Sequence, residues 1–154
     1  CFAVEGEPRA REAAAWLAGA LGARWFVLGA RQMALYHAAA VLASNHAVGL
    51  WHVAQELLGR LQVPPEALQT LLDSTLDNVR EAGLPEALTG PVRRGDAATI
   101  QRHLDVLEQL EGELRTIYEG GTLAALRAAR GCAGAEPRAA DAARIRRIVT
   151  RGQR

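Results

Sequence analysis

The sequence predicts a mainly α protein that opens with one β-α-β piece of a parallel sheet. Three observations carry this. Two short aromatic or branched runs flank an alanine-rich helix within the first thirty residues. No formally charged residue then occurs between Arg31 and Glu56. Beyond that, apolar residues recur at three- and four-residue spacing between proline and glycine punctuation.

FAVEG (2–6) reads as a short buried strand. Pro8 opens a helix through EPRAREAAAWLAGALG, because proline is tolerated in a first turn, and Gly22 stops it. WFVL (25–28) is a second strand, ended by Gly29. Strand, helix, strand at this length is half of a parallel unit, and two parallel strands alone leave edges and faces bare. Further strands are therefore expected upstream of Cys1.

Residues 31–62 read as one helix, on the order of 45 Å long at about 1.5 Å per residue, apolar nearly all round and hence central and buried. Pro64 and Pro65 end it. In PEALQTLLDSTLDNVREAG, Leu68, Leu71, Leu72, Leu76 and Val79 form one stripe for burial, and Gly83 closes the helix. LTGPVRRGD reads as a loop, after which Asp96 is placed to cap DAATIQRHLDVLEQLEG, with Ile100, Leu104, Leu107 and Leu110 on its apolar face. ELRTIYEGGTLAALRAARG continues helical, with Gly120 and Gly121 as the place for a break. The domains expected are thus residues 1–30, 31–131 and a basic, flexible tail over 132–154.

Composition narrows the function classes. The chain has 154 residues, 49% hydrophobic and 23% charged, which suits one modest core. All eighteen basic residues are arginine, so no lysine Schiff base, P-loop lysine or lysine acid exists here. From Arg127 onward eight arginines face Glu136 and Asp141, a net +6, whereas ten arginines face fifteen acids before it, a net −5. Cys1 and Cys132 form no disulfide framework or metal spacing, which favours the cytoplasm. An N-terminal cysteine also begins mature lipoproteins, but no flexible tether follows it. The histidines, Ser44, Asn45 and the glutamines of the uncharged run argue for a buried helix rather than a membrane span. No nucleic acid and no membrane are expected as partners; the arginine tail reads as a solvated terminus.

At about 100° per residue, His37, Val41, Ser44, Val48 and His52 fall in one stripe of the long helix, with Asn45 beside it. Two readings stand. The stripe faces a cleft, where an imidazole can exchange a proton near neutral pH and a carboxamide can donate and accept together. Alternatively the histidines bond to backbone carbonyls or to a neighbouring helix. No metal site is expected, since His37 and His52 lie roughly 22 Å apart along the axis and no HExxH occurs. In the 89–95 segment, Gly90 and Gly95 free the backbone, Pro91 stiffens it, and Arg93 and Arg94 suit an anion or are solvated.

FAVEG, ALYHAAAVLASNH and ALTGPVRRGD, in that order and spacing, resemble the second half of a bacterial family that joins a Rossmann-like domain to the helical domain of unknown function twenty-five-twenty. The resemblance covers most of residues 2–118. That family is similar to the group of 6-phosphogluconate dehydrogenase, ketopantoate reductase and pyrroline-carboxylate reductase. The resemblance implies that residues 1–30 close a Rossmann-like sheet and that a helical 6-phosphogluconate dehydrogenase C-terminal-like domain follows. It implies NADP or NAD, held mainly by the missing N-terminal domain, a small and anionic substrate, and a homodimer. Asn45 matches the asparagine that faces substrate and nicotinamide in the wider group. Where that group carries a lysine one turn earlier, this chain has Val41, and His37 is the nearby substitute. The expected roles are catalytic for His37 and Asn45, and substrate- or cofactor-binding for Tyr36, Ser44, Thr89, Gly90, Pro91, Arg94 and Gly95. A non-catalytic dimerisation or ligand-sensing module of the same architecture is the other reading.

Overall fold

In a computed structural model, which describes residues 1–110, 112–131 and 136–151, the chain is mainly α with a small parallel sheet at its start. Strand β1 (Phe2–Val4) leads through helix α1 (Pro8–Ala20) to strand β2 (Trp25–Val27). The strands are parallel, with Phe2 opposite Trp25, Ala3 opposite Phe26 and Val4 opposite Val27. Pro8 occupies the first turn of α1, and Gly22 follows its end with φ of 65°. Both boundaries match the sequence punctuation.

A helical run follows as α2 (Ala30–Val41), a π-helical turn (Leu42–His46) and α3 (Ala47–Arg60). Helices α4 (Glu66–Ala82), α5 (Gly90–Arg94), α6 (Ala97–Leu107), α7 (Leu114–Ala129) and α8 (Ala139–Thr150) complete the order. The chain divides into two compact units, Cys1–His52 and Val53–Arg154.

In the first unit, Val4 and Ala18 are the buried side chains among the described residues. Phe2, Trp25 and Val27 are largely exposed, as two strands with open edges dictate. The long helical run departs from expectation here: none of α2, the π turn or α3 buries a residue. Its apolar surface extends all round, and covering it takes neighbours on every side.

The second unit has a sealed core of Val92, Ala97, Ile100, Leu104, Leu126, Ala129, Ile145 and Val149, drawn from α5, α6, α7 and α8. Ile100, Leu104 and Leu107 are buried as their spacing predicts. Asp96 caps α6, its carboxylate accepting from the Thr99 backbone N–H at 3.0 Å and from the Thr99 hydroxyl at 2.7 Å. Those two bonds hold the Asp96 carboxyl below the ordinary carboxylate range, with Arg102 and Arg94 adding to the effect.

Several expectations are corrected. On α4 only Leu68 is buried, while Leu71 and Leu76 are exposed. Gly120 and Gly121 do not break α7, because tertiary packing on α5, α6 and α8 outweighs the propensity cost of two glycines. The 89–95 segment is not a loop but carries a short helix. The expected flexible tail is, over residues 139–150, the helix α8, whose Ile145 and Val149 are fully buried. Isoleucine and valine four apart make one apolar stripe, and that stripe outweighs the arginines around it. Cys132 lies outside the described residues.

Candidate functional site

Tyr36 and His37 stand on α2, and Ser44 and Asn45 stand in the π turn. Tyr36 is fixed from below: its ring meets Phe26 of β2 edge to face, with centroids 5.5 Å apart and planes at 76°. The contact ties α2 to the sheet. The Gln32 side chain accepts from the Gly29 N–H at 2.9 Å and closes the first turn of α2. His37, Ser44 and Asn45 are all exposed. His37 is therefore not enclosed by its own unit, and both sequence readings of the stripe stay open.

The π turn changes which residues share a face. In a regular helix, Asn45 would lie about 80° from His37 around the axis. A π turn closes its rings at i→i+5 and so takes up one extra residue, which sets everything beyond it back by up to about 100°. Asn45, near the end of the turn, swings back to roughly the azimuth of His37, about two turns further along. Val48 leaves that face by the same rotation and Gly49 moves onto it. No neighbour lies within 4 Å of where a Gly49 Cβ would stand, so the surface beyond Asn45 is open. By helix geometry the exposed imidazole and carboxamide thus stand on one side of the run about two turns apart, the one able to exchange a proton and the other to donate and accept.

In the second unit, Thr89 precedes α5, Pro91 sits in its first turn and Gly95 ends it in the left-handed conformation, φ 70°. Gly90 also has positive φ, 82°. Thr89 makes no side-chain cap. Arg93 is spent on the backbone: its Nη1 donates to the carbonyls of Glu86 at 2.6 Å and Leu88 at 2.7 Å. Arg94 is exposed and acts electrostatically on Asp96. Gly95 is required sterically, since a Cβ there would come within 2.9 Å of the Asp141 Cβ. The turn at Gly95 therefore serves the close approach of α8 at Asp141.

The family model for the domain of unknown function DUF2520 matches residues 1–125. The chain belongs to that family. The DUF2520 match spans both segments just described and ends within α7, so α8 lies beyond it. No curated protein and no solved structure matches the chain.

Nicotinamide cofactors, which the wider resemblance implies, need a turn that welcomes a pyrophosphate. The turn between β1 and α1 is Glu5-Gly6-Glu7, with Glu7 at the N-cap of α1. Two carboxylates at that position repel phosphate rather than hold it. The described part of this DUF2520 chain does not fit the phosphate end of a dinucleotide.

Some interactions escaped sequence reasoning. His103 Nδ1 and the Tyr118 hydroxyl meet at 2.7 Å across α6 and α7, with rings 5.6 Å apart at 87°. Burial raises the Tyr118 phenol above its ordinary value, so it stays protonated through the physiological range. Arg115 bonds Glu119 at 2.9 Å and also Glu108. Burial works against the Arg115 charge, but the two carboxylates outweigh it and raise its pKa. Glu119 is itself 2% exposed, a buried carboxylate with its counter-charge supplied one turn away. A fifteen-residue spacing across two helices has no sequence signature; the Arg115 and Glu119 spacing of four does. Among the described residues no group of three histidines, cysteines or acids is arranged to hold a metal. No described helix is long and apolar enough to cross a membrane.

Proposed function

We propose that this chain is the C-terminal part of an NAD(P)-dependent oxidoreductase-like protein, contributing cleft residues to a site completed by a nucleotide-binding domain. The observation that carries the reading is the π turn at Leu42–His46, which holds exposed Asn45 and follows exposed His37; the extra residue of such a turn supports their sharing a face. Interruptions of this kind cluster at functional sites, because they cost regular hydrogen bonding and are kept where they aim a side chain. His37 would exchange the proton and Asn45 would orient the reacting group of a small substrate, with Ser44 beside it and Tyr36 steadying the helix. In the second unit Arg94, exposed at the end of α5, suits an anionic group. NADP or NAD, held outside the described residues, would supply the hydride.

The opposite side of the same helical run supports a further part of the reading. Leu35, Leu42 and Leu50, 73%, 63% and 47% exposed, lie away from the His37 face. So large an apolar surface favours a homodimer that covers this side and leaves the polar face open. A non-catalytic dimerisation or ligand-sensing module of the same architecture would use that surface alone.

The test uses the protein together with its nucleotide-binding domain, titrated with NADPH and NADH. Saturable binding is expected, along with reduction of a carbonyl or imine substrate that His37→Ala and Asn45→Ala abolish without lowering Tm. Absence of binding at millimolar cofactor would overturn the redox reading. Variants that melt earlier yet keep cofactor binding would favour the non-catalytic module.

A further inference from the structure

The face of α8 that points away from the core has no role in the function proposed above. Ile145 and Val149 are fully buried, which fixes the rotation of α8 about its axis. Arg144, Arg147 and Arg151, three and four residues apart, are therefore held on one outward stripe. That stripe lines a cavity of roughly 490 Å³ with Ala97, Ala98 and Gln101 of α6, and Ile148 forms part of its wall. The volume is in the range of small-molecule sites, about 300–1,000 Å³.

Three cations converge on this cavity, and among the described residues no carboxylate lines it. None of the three guanidinium groups has a hydrogen-bond or ion-pair partner among the described residues. Asp96, at the head of α6, is already engaged by Thr99, and the Gln101 amide donates to Asp105 at 2.8 Å. Like charges at these spacings repel one another along a helix, so the stripe is a standing cost that a multivalent anion would remove. Arginine, unlike lysine, offers paired N–H groups matched to phosphate oxygens.

We propose that the groove between α6 and α8 binds a polyphosphate chain, as in inorganic tripolyphosphate or a nucleoside triphosphate. From Arg144 to Arg151 the stripe runs about 10 Å along the axis, longer than one phosphate and suited to several in a row. The wall of Ala97, Ala98 and Ile148 gives an attached nucleoside an apolar surface. The three arginines lie beyond the residues that the family match covers, whereas the α6 wall lies within them.

Calorimetric titration of the chain with tripolyphosphate and with ATP, at low and at physiological salt, tests this. One ligand per chain is expected, with binding at least tenfold weaker when Arg144, Arg147 and Arg151 are all changed to glutamine. Tm without ligand should be unchanged or higher in that variant, because three repelling charges are gone. A control changing Arg9, Arg31 and Arg60 to glutamine removes the same charge elsewhere and should bind as the unaltered chain does. ATP tighter than tripolyphosphate means the nucleoside is read as well; equal affinities mean the phosphates alone are. No saturation at millimolar ligand, or equal weakening in the control, overturns the proposal. So does a preference for single-stranded DNA that grows with its length, which would mark a nucleic-acid surface.

Discussion

The helical run from Ala30 to Arg60 and the helix α8 use apolar residues in opposite ways. The run carries no formal charge between Arg31 and Glu56 and buries nothing; α8 carries Arg144, Arg146 and Arg147 and has two residues at zero exposure. Total hydrophobicity does not decide burial. A helix apolar on every side has to be surrounded, whereas one whose apolar residues are confined to a stripe is satisfied by a single groove. In the second unit α5, α6 and α7 supply that groove. The exposed run is thus a surface with work left to do, and α8 is a finished structural piece whose outer arginines are exposed among the described residues.

The strongest challenge to this contrast is a pair of truncations. Ile145→Ala should destabilise the second unit by about 2–5 kcal/mol in urea unfolding, the usual range for emptying a sealed core site. Leu35→Ala should change the monomer's stability by less than about 0.5 kcal/mol. Equal effects would mean the two regions are not distinct. Gly95→Ala should cost about 1–3 kcal/mol, since it combines a left-handed backbone with the close approach of Asp141, and would show whether α8 depends on that seat.

On the exposed run, Leu42→Glu should weaken self-association at least tenfold, about 1.4 kcal/mol, in sedimentation equilibrium. An unaltered chain that stays monomeric at every concentration would remove the dimer from the account. The smallest effect concerns pH. The Asp96 pKa is lowered in the folded chain, so its cap contributes fully above the ordinary carboxylate value near 3.9 and is lost as pH falls through the lower folded value. Asp96→Asn keeps an acceptor without the titration, so the Tm advantage of the unaltered chain over this variant should shrink on acidification. A constant difference would place the stabilisation elsewhere.

Much of the fold was legible where a local signal decides the outcome. Pro8 and Gly22 bracket α1, Asp96 with Thr99 marks the start of α6, and Ile100, Leu104 and Leu107 repeat at helical spacing. The rest depends on tertiary neighbours. Nothing in LASNH announces a π turn, since it holds no proline or glycine, and yet that turn decides which side chain shares a face with His37. The stripe of Ile145 and Val149 is present in the sequence, but two apolar residues among arginines signal burial only once α5, α6 and α7 offer a groove. Leu71 and Leu76 show the reverse error, a well-spaced stripe with nothing to cover it. The ring of Tyr36, a residue expected to bind, also rests on Phe26, a contact across elements that no local pattern announces.

The claim on which this account rests is that His37 and Asn45 look outward together from an interrupted helix. Modification of the histidines by diethyl pyrocarbonate, followed residue by residue by mass spectrometry, measures the accessibility of His37 directly. His37 in the native protein should react at close to its rate in urea, and Asn45→Ala should leave that rate unchanged. A His37 that reacts only after unfolding would contradict the account.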